Sequence, residues 1–493
     1  MSAYQKLIQH AHKVSHFQHL SAIASWDQAA VMPSGGHTAR SGALAELSVY
    51  IHQLLTQPEL AEWFADASEE ALTNEQRASL REMKRQWQQA NVLPDDLVQA
   101  KSLAGSRCEH AWRTQRKEND WVGFASLWSE VVTLSREEAQ IRAEASGSTP
   151  YDAMLDIYEP GINSSSLDHL FSDVKTWLPR LIDTIIEHQS HHTFLKPEGP
   201  FAPEKQKALG LEVMQLLQFD FQHGRLDESA HPFCGGVPSD VRITTRYSDD
   251  ECVQSLMGIV HETGHARYEQ GLPTSWAGTP AGLARSMGIH ESQSLFFEMQ
   301  LGHHPAFIQH IAPLAQRHFS HSDPRSFSAQ NLHSLYNRVE KGLIRVHADE
   351  ATYPAHVILR YEIERDLING QLHYTDVPDA WDEKMQAYLG LSTAGEFRNG
   401  CMQDIHWTDG SFGYFPSYTL GAMYAAQFMA AMKKSVDVDG AIHSGDLSPI
   451  FNWLSEKIWS KGSLLTTDEL VKQATGETLN PEHFKAHLMN RYL

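Results

Sequence analysis

Apolar residues recur at three- and four-residue spacing through most of the chain, which is the period of an amphipathic α-helix. The clearest runs cover residues 4–25, 43–55, 74–89 and 124–145. Clusters of Pro and Gly separate such runs along the chain. The pattern predicts a mainly α protein built from many helices.

One segment departs from the helical period. Val241, Ile243, Thr245 and Tyr247 fall on one face of an extended chain, and polar residues such as Arg242 alternate with them. Strict alternation with β-branched residues indicates a half-buried strand. We therefore expect a small β-sheet within the helical fold.

With 493 residues, the chain can form one large helical domain or two or three of ordinary size. The most loop-like stretch, Pro197-Glu198-Gly199-Pro200, separates an N-terminal helical half (about 1–195) from a second half (about 205–493). This stretch could link two domains. We interpret it as a surface loop inside a single domain that covers residues 1–493.

Charge and cysteine usage narrow the function classes. The 61 acidic and 40 basic residues give a net charge of -21, which disfavours nucleic acid and anionic membranes as partners. The four cysteines include no Cys-x-x-Cys pair, and the first twenty residues lack an apolar signal-peptide core. The longest apolar run, 420–432, is too short for a membrane span. We expect a cytoplasmic protein.

The sequence His261-Glu262-Thr263-Gly264-His265 matches H-E-x-x-H. Residues i and i+4 share one face of a helix, so two imidazoles can reach one metal ion, and the glutamate can reach a water bound there. Ser248 and Glu251 form a possible capping box before this segment, and Gly271 offers a stop after it. The pattern predicts a zinc metallopeptidase with Glu262 as the general base.

Gly264 is unusual because glycine inside a helix costs about 1 kcal/mol relative to alanine. It is either a neutral choice on an exposed face, or a point where a neighbouring helix or the substrate comes close. The sequence alone leaves both interpretations open.

A catalytic zinc ion usually takes three protein ligands. A metzincin would have Gly at position 268 and His at position 271, where this chain has Tyr268 and Gly271, so that class is excluded. The other source is a glutamate on a following helix. Glu291 lies 26 residues after His265, and Glu298 lies two turns further on. Spacing favours Glu291 but leaves Glu298 open, and either could be a solvated charge.

Further motifs resemble those of the carboxypeptidase Taq family of zinc metallocarboxypeptidases, in the same order and over nearly the whole chain. Beside the H-E-x-x-H motif, these are Trp26-Asp-Gln28, Met32-Pro33, His231-Pro-Phe233, Asp240-x-Arg242-x-Thr244, His290-Glu-Ser-Gln293, Arg345-Val-His-Ala-Asp349-Glu350, Gly400-x-x-Gln403-Asp404-x-His406-Trp407 and Gly413-Tyr-Phe-Pro-Ser-Tyr418. At position 347 the family would have an acidic residue, and this chain has His347.

The resemblance implies a large helical metallopeptidase fold with a deep substrate groove, and usually a homodimer. It implies one Zn²⁺ per chain, which Co²⁺ could replace, and removal of C-terminal residues from peptides with broad specificity. It also assigns the third metal ligand to Glu291. The substrate would be a peptide with a free C-terminus.

Other candidate residues lie in the same motifs. The tetrahedral oxyanion needs a donor beside the metal, and the resemblance suggests Tyr418 or Tyr414, with His406 behind them. Arg242 and Arg345 are candidates for binding the substrate carboxylate, because a guanidinium donates two parallel hydrogen bonds. Three acidic residues of the last motifs could either accept hydrogen bonds from the ligand histidines or form buried structural hydrogen bonds; they are Asp349, Glu350 and Asp404.

Two other functions fit the metal motif. A metallo-endopeptidase would cut inside peptides and would tolerate a blocked C-terminus. A non-catalytic helical protein that binds metal or peptides would need no base at Glu262. The chain has no G-x-S-x-G motif, so a serine hydrolase has no support.

Overall fold

The computed structural model describes residues 1–493, and most of them are helical, so the prediction of a mainly α fold is confirmed. The α-helices are α1 (Ala3–Ala30), α2 (His37–Leu55), α3 (Glu59–Ser68), α4 (Asn74–Asn91), α5 (Asp95–Gln115), α6 (Trp121–Ser146), α7 (Pro150–Tyr158), α8 (Ser164–Gln189), α9 (Pro203–Leu216), α10 (Val253–Gln270), α11 (Met287–Leu295), α12 (Pro305–His318), α13 (Ala329–Tyr336), α14 (Tyr353–Ile368), α15 (Val377–Leu389), α16 (Pro416–Met432), α17 (Val438–Ser444), α18 (Ser448–Lys457), α19 (Thr467–Thr475) and α20 (Glu482–Tyr492).

Shorter elements complete the chain. A π-helix, Phe296–Gly302, continues directly from α11. The 3₁₀ helices are Ser34–Gly36, Thr274–Trp276, Pro280–Gly282, Pro324–Phe327, Arg345–His347, Tyr374–Asp376 and Trp459–Lys461. The strands are β1 (Gly224–Glu228), β2 (Cys234–Val237) and β3 (Asp240–Thr245).

The predicted strand is the centre of a three-stranded sheet with the order β1-β3-β2. β1 runs parallel to β3, and β2 runs antiparallel to it. β3 ends at Thr245, so the predicted alternation overshoots by two residues. Val241 and Ile243 are buried and belong to the same apolar cluster as Ile259 and Ala266 of α10. The sheet therefore packs against the helix that carries the H-E-x-x-H motif.

The main hydrophobic core draws residues from both sides of the Pro197–Pro200 stretch, from Ala104 to Tyr492. A smaller cluster, including Leu7 and Phe64, holds the N-terminal helices together. The single domain over residues 1–493 stays a prediction. No helix combines the length and apolar character needed to span a membrane.

Candidate active site

The metal motif lies in the middle of α10, although the helix begins later than the sequence suggests. Ser248 forms an isolated β-bridge with Glu251 instead of starting the helix. The Glu251 carboxylate accepts hydrogen bonds from the backbone N–H groups of Val253 (2.6 Å) and Gln254 (2.9 Å), and so caps α10 itself. Gly271 ends the helix as predicted.

Two glycines let neighbouring helices approach α11 closely. A Cβ atom at Gly264 of α10 would lie 2.5 Å from the carbonyl oxygen of Gln293 and 2.6 Å from the Cα atom of Ser294. A Cβ atom at Gly421 of α16 would lie 2.8 Å from the Cβ atom of Glu291. Of the two interpretations of Gly264, the structure therefore supports the close approach of a helix. α11 is packed between α10 and α16.

This packing brings His261, His265 and Glu291 together. Their candidate ligand atoms all lie within 4.8 Å of one another. The Glu291 carboxylate lies 3.9 Å from Nε2 of His261 and 3.6 Å from Nε2 of His265. Glu298, the other candidate ligand, contacts the opposite nitrogen of the His261 imidazole: its Oε2 lies 2.8 Å from Nδ1 of His261. Two imidazoles and one carboxylate facing a common point fit a catalytic zinc ion.

Glu262 is buried beside this group. One of its carboxylate oxygens, Oε2, is buried without a hydrogen-bond partner. Burial is the main reason that the pKa of Glu262 is raised to about 7. A buried polar atom without a partner is rare in proteins and is costly unless a ligand or water contacts it. The orphaned oxygen therefore also fits a metal site with a water molecule.

A third histidine, His290, contacts the candidate ligand His265. Nδ1 of His265 lies 2.7 Å from Nδ1 of His290, and Nε2 of His290 lies 2.8 Å from Oε1 of Glu269. Neither His290 nor Glu269 is assigned a role by the sequence motifs. A signal was present, because Glu269 follows His265 by four residues and so shares its face of α10.

The three acidic residues suggested as partners of the ligand histidines contact other groups. Asp349 accepts hydrogen bonds from the backbone N–H groups of residues 340, 351 and 352. Glu350 binds three side chains of α20, which are His487, Arg491 and Tyr492. Asp404 binds two arginines. Of the two interpretations, these contacts fit the structural one, because sharing a motif with site residues does not place a side chain beside the metal ligands.

The arginine pair at Asp404 forms a buried cationic cluster. Arg345 donates from Nε and Nη2 to Oδ1 of Asp404 (2.9 and 2.8 Å) and from Nη1 to the hydroxyl of Tyr353 (2.6 Å). Arg360 donates to the other oxygen, Oδ2, at 2.7 Å. Burial lowers the pKa of Arg360 to about 10, so this group remains positive at neutral pH. One carboxylate shared by two guanidinium groups leaves one net positive charge.

Tyr418 lies beside this cluster. Its ring is 5.0 Å from Cζ of Arg345, and its hydroxyl is 3.2 Å from Nε2 of His406. Burial lowers the pKa of His406 to about 4, so this imidazole is neutral at pH 7. Tyr418 precedes Gly421 by three residues on α16 and therefore shares the helix face that contacts Glu291. Tyr414 packs edge-on against Tyr418, with ring centroids 5.2 Å apart.

Arg242, the other candidate for the substrate carboxylate, has different neighbours. It donates two hydrogen bonds to Asp240, at 2.9 and 2.7 Å. Its guanidinium also lies 4.7 Å from the ring centroid of Trp26. These contacts tie α1 to the sheet and occupy one edge of the guanidinium group.

A helical fold with H-E-x-x-H on one helix, a second glutamate on the next helix and a buried motif glutamate beside them is typical of a metallopeptidase. Residues 6–492 match the family described as carboxypeptidase Taq (M32) metallopeptidase. The chain belongs to this family, and it is a metallocarboxypeptidase, a peptide hydrolase that uses a divalent metal.

Individual relatives match the sequence of this chain over almost their full length. Thermostable carboxypeptidase 1 of Thermus thermophilus is 36% identical, with 100% of this chain and 98% of the relative covered. Carboxypeptidase 1 of Bacillus subtilis is 33% identical, with 97% and 96% covered. The structure of Trypanosoma cruzi metallocarboxypeptidase 1 is 46% identical, has a TM-score of 0.97 and covers 99% of both chains.

Proposed function

We propose that this metallocarboxypeptidase is zinc-dependent, removes C-terminal residues with broad specificity, and uses Glu262 as its general base. The convergence of His261, His265 and Glu291 beside the orphaned carboxylate oxygen of Glu262 carries this proposal. Two histidines and a glutamate are a usual ligand set for zinc in peptidases. The breadth of specificity follows from the family resemblance.

Glu262 moves the proton in the proposed mechanism. When bound, zinc supplies a Lewis acid that polarises a carbonyl and brings the pKa of a water molecule toward about 7. The Glu262 carboxylate accepts the proton of the attacking water and then passes it to the leaving amine. Its burial keeps bulk water away from the carboxylate during both transfers.

Tyr418 is the proposed donor to the developing oxyanion. Its hydroxyl contacts a buried, neutral histidine, and its ring packs against Arg345, so the side chain has little freedom to turn away. A donor already held in place costs little reorganisation during the reaction. Tyr414 packs against the Tyr418 ring and supports its orientation.

Arg345 is the proposed site for the substrate carboxylate. A guanidinium group has five N–H donors, and the structure uses three of those of Arg345. In this proposal, the two remaining donors and the net positive charge of the buried cluster bind a peptide C-terminus. Arg242 is less suitable because its charge is paired with Asp240.

The test compares free and amidated peptides on wild type, Arg345→Met and Arg242→Met. A charge-assisted contact is worth about 1.5–3 kcal/mol. Arg345→Met should therefore lower kcat/KM for free peptides about 10- to 150-fold, since 1.36 kcal/mol is tenfold. Amidation of the peptide should lower kcat/KM of the wild type by a similar factor. It should lower kcat/KM of Arg345→Met little further. Arg242→Met should still discriminate between the two peptides.

Equal cleavage of free and amidated peptides by wild type, or first products from internal bonds, would instead indicate an endopeptidase. Loss of discrimination in Arg242→Met alone would move the carboxylate site to Arg242.

We also propose a homodimer, which follows from the family resemblance. Light scattering of the purified protein should give twice the mass of one chain, and a single-chain mass would contradict the dimer.

A further inference from the structure

Both candidate histidine ligands have their second ring nitrogen engaged. Nδ1 of His261 lies 2.8 Å from Oε2 of Glu298, and Nδ1 of His265 lies 2.7 Å from Nδ1 of His290. The first contact is a direct carboxylate–histidine pair. The second reaches a carboxylate only through another imidazole, because His290 lies 2.8 Å from Glu269.

The number of protons on the two imidazoles fixes the direction of each hydrogen bond in the series from His265 through His290 to Glu269. If Nε2 of His265 binds a metal, it carries no proton, so the neutral ring has its proton on Nδ1. Nδ1 of His265 then donates to Nδ1 of His290, which must be an acceptor. The remaining proton of a neutral His290 lies on Nε2 and is donated to Glu269. One carboxylate thereby selects the tautomers of two imidazoles.

We propose that Glu269, acting through His290, fixes the tautomer and ring orientation of His265, and that Glu298 does the same directly for His261. This inference rests on the proposed metal site. In it, Glu269, His290 and Glu298 are positioning residues. Partners of this kind orient the imidazole and raise its basicity as a metal ligand.

The elements are arranged to support both contacts. α10 carries His265 and Glu269 one turn apart, and α11 carries His290 directly before Glu291. A shift between α10 and α11 would therefore disturb a metal ligand and the hydrogen-bonded chain together. Glu298 lies in the π-helix that continues α11. Such local widening of a helix often marks functional sites.

The test measures the zinc dissociation constant of the full-length protein by competition with a chelator of known affinity. Glu269→Met removes the acceptor, and we expect about 10- to 100-fold weaker zinc binding. Glu269→Gln retains a neutral acceptor oxygen and should recover part of that loss. Glu456→Met is the control, because Glu456 is exposed and pairs only with Lys457. This control should bind zinc as wild type does.

A double variant separates the hydrogen-bonded chain from a merely structural role. If Glu269 acts only through His290, then His290→Phe combined with Glu269→Met should weaken zinc binding no more than His290→Phe alone. Additive losses, or zinc binding by Glu269→Met within twofold of wild type, would overturn the proposal. Undiminished zinc binding by His265→Ala would overturn the metal site itself, which is a separate failure.

Discussion

The closest backbone approach at the site, between α10 and α11, can be tested with Gly264→Ala. The added Cβ atom would lie 2.5 Å from the carbonyl oxygen of Gln293, whereas ordinary contacts begin at 3.4 Å. The nearest atoms belong to the backbone, so no flexible side chain can yield. The two helices must therefore separate by about 0.9 Å, the difference between these distances.

That displacement is large for a metal site. Distances between a metal and its ligands usually vary by only about 0.2 Å. Loss of a residue that orients a ligand weakens metal binding about 10- to 100-fold. Moving Glu291 itself away from the two histidines should therefore weaken zinc binding by at least this factor. Overpacking typically destabilises a protein by about 1–3 kcal/mol. The better helix propensity of alanine offsets about 1 kcal/mol of this.

The assay combines the zinc dissociation constant with denaturant unfolding, and the same helix provides a control. A Cβ atom at Gly258 would meet no atom within 4 Å. Gly258→Ala should therefore raise the free energy of unfolding by up to about 1 kcal/mol and leave zinc affinity unchanged. If Gly264→Ala behaves in the same way, the close approach does not position Glu291, and the reasoning fails.

Three further predictions concern single side chains. Glu262→Gln should retain zinc, measured by metal analysis, and lower kcat about 100-fold or more, because an amide cannot accept the proton; near-normal turnover would contradict the base. Glu291→Ala should lose zinc on dialysis under conditions where Glu298→Ala retains it, and equal retention would refute the ligand choice. Arg360→Met should raise KM for free peptides but not for amidated ones, whereas Arg365→Met, on the same helix, should change neither.

The helices and the metal motif could be predicted because their signals are local. Apolar periodicity fixes which residues are helical, and the i, i+4 spacing of His261 and His265 places both imidazoles on one face whatever surrounds the helix. The start of α10 was less predictable. The sequence suits a capping box from Ser248 to Glu251, but in the structure Ser248 pairs with Glu251 in an isolated β-bridge, and the Glu251 carboxylate caps the helix.

The direct partners of the two ligand histidines could not be predicted, because these contacts join residues distant in sequence. The partner of His265 lies 25 residues away, and that of His261 lies 37 residues away. Gly421 was overlooked for the same reason. Its function depends on α11 passing within contact distance of α16, which no pattern inside α16 reveals.

The proposed carboxylate site depends on charge pairing that the sequence reveals only in part. A chain with a net charge of -21 needs local positive charge to attract a peptide carboxylate, so the charge predicts an arginine near the metal site. The sequence does not show whether an acidic side chain compensates the charge of that arginine. Asp240 compensates the charge of Arg242, whereas Arg345 shares the single carboxylate of Asp404 with Arg360. The second arginine, Arg360, which no motif indicated, leaves the cluster beside Tyr418 with one net positive charge, and this charge is the basis of the proposed carboxylate site.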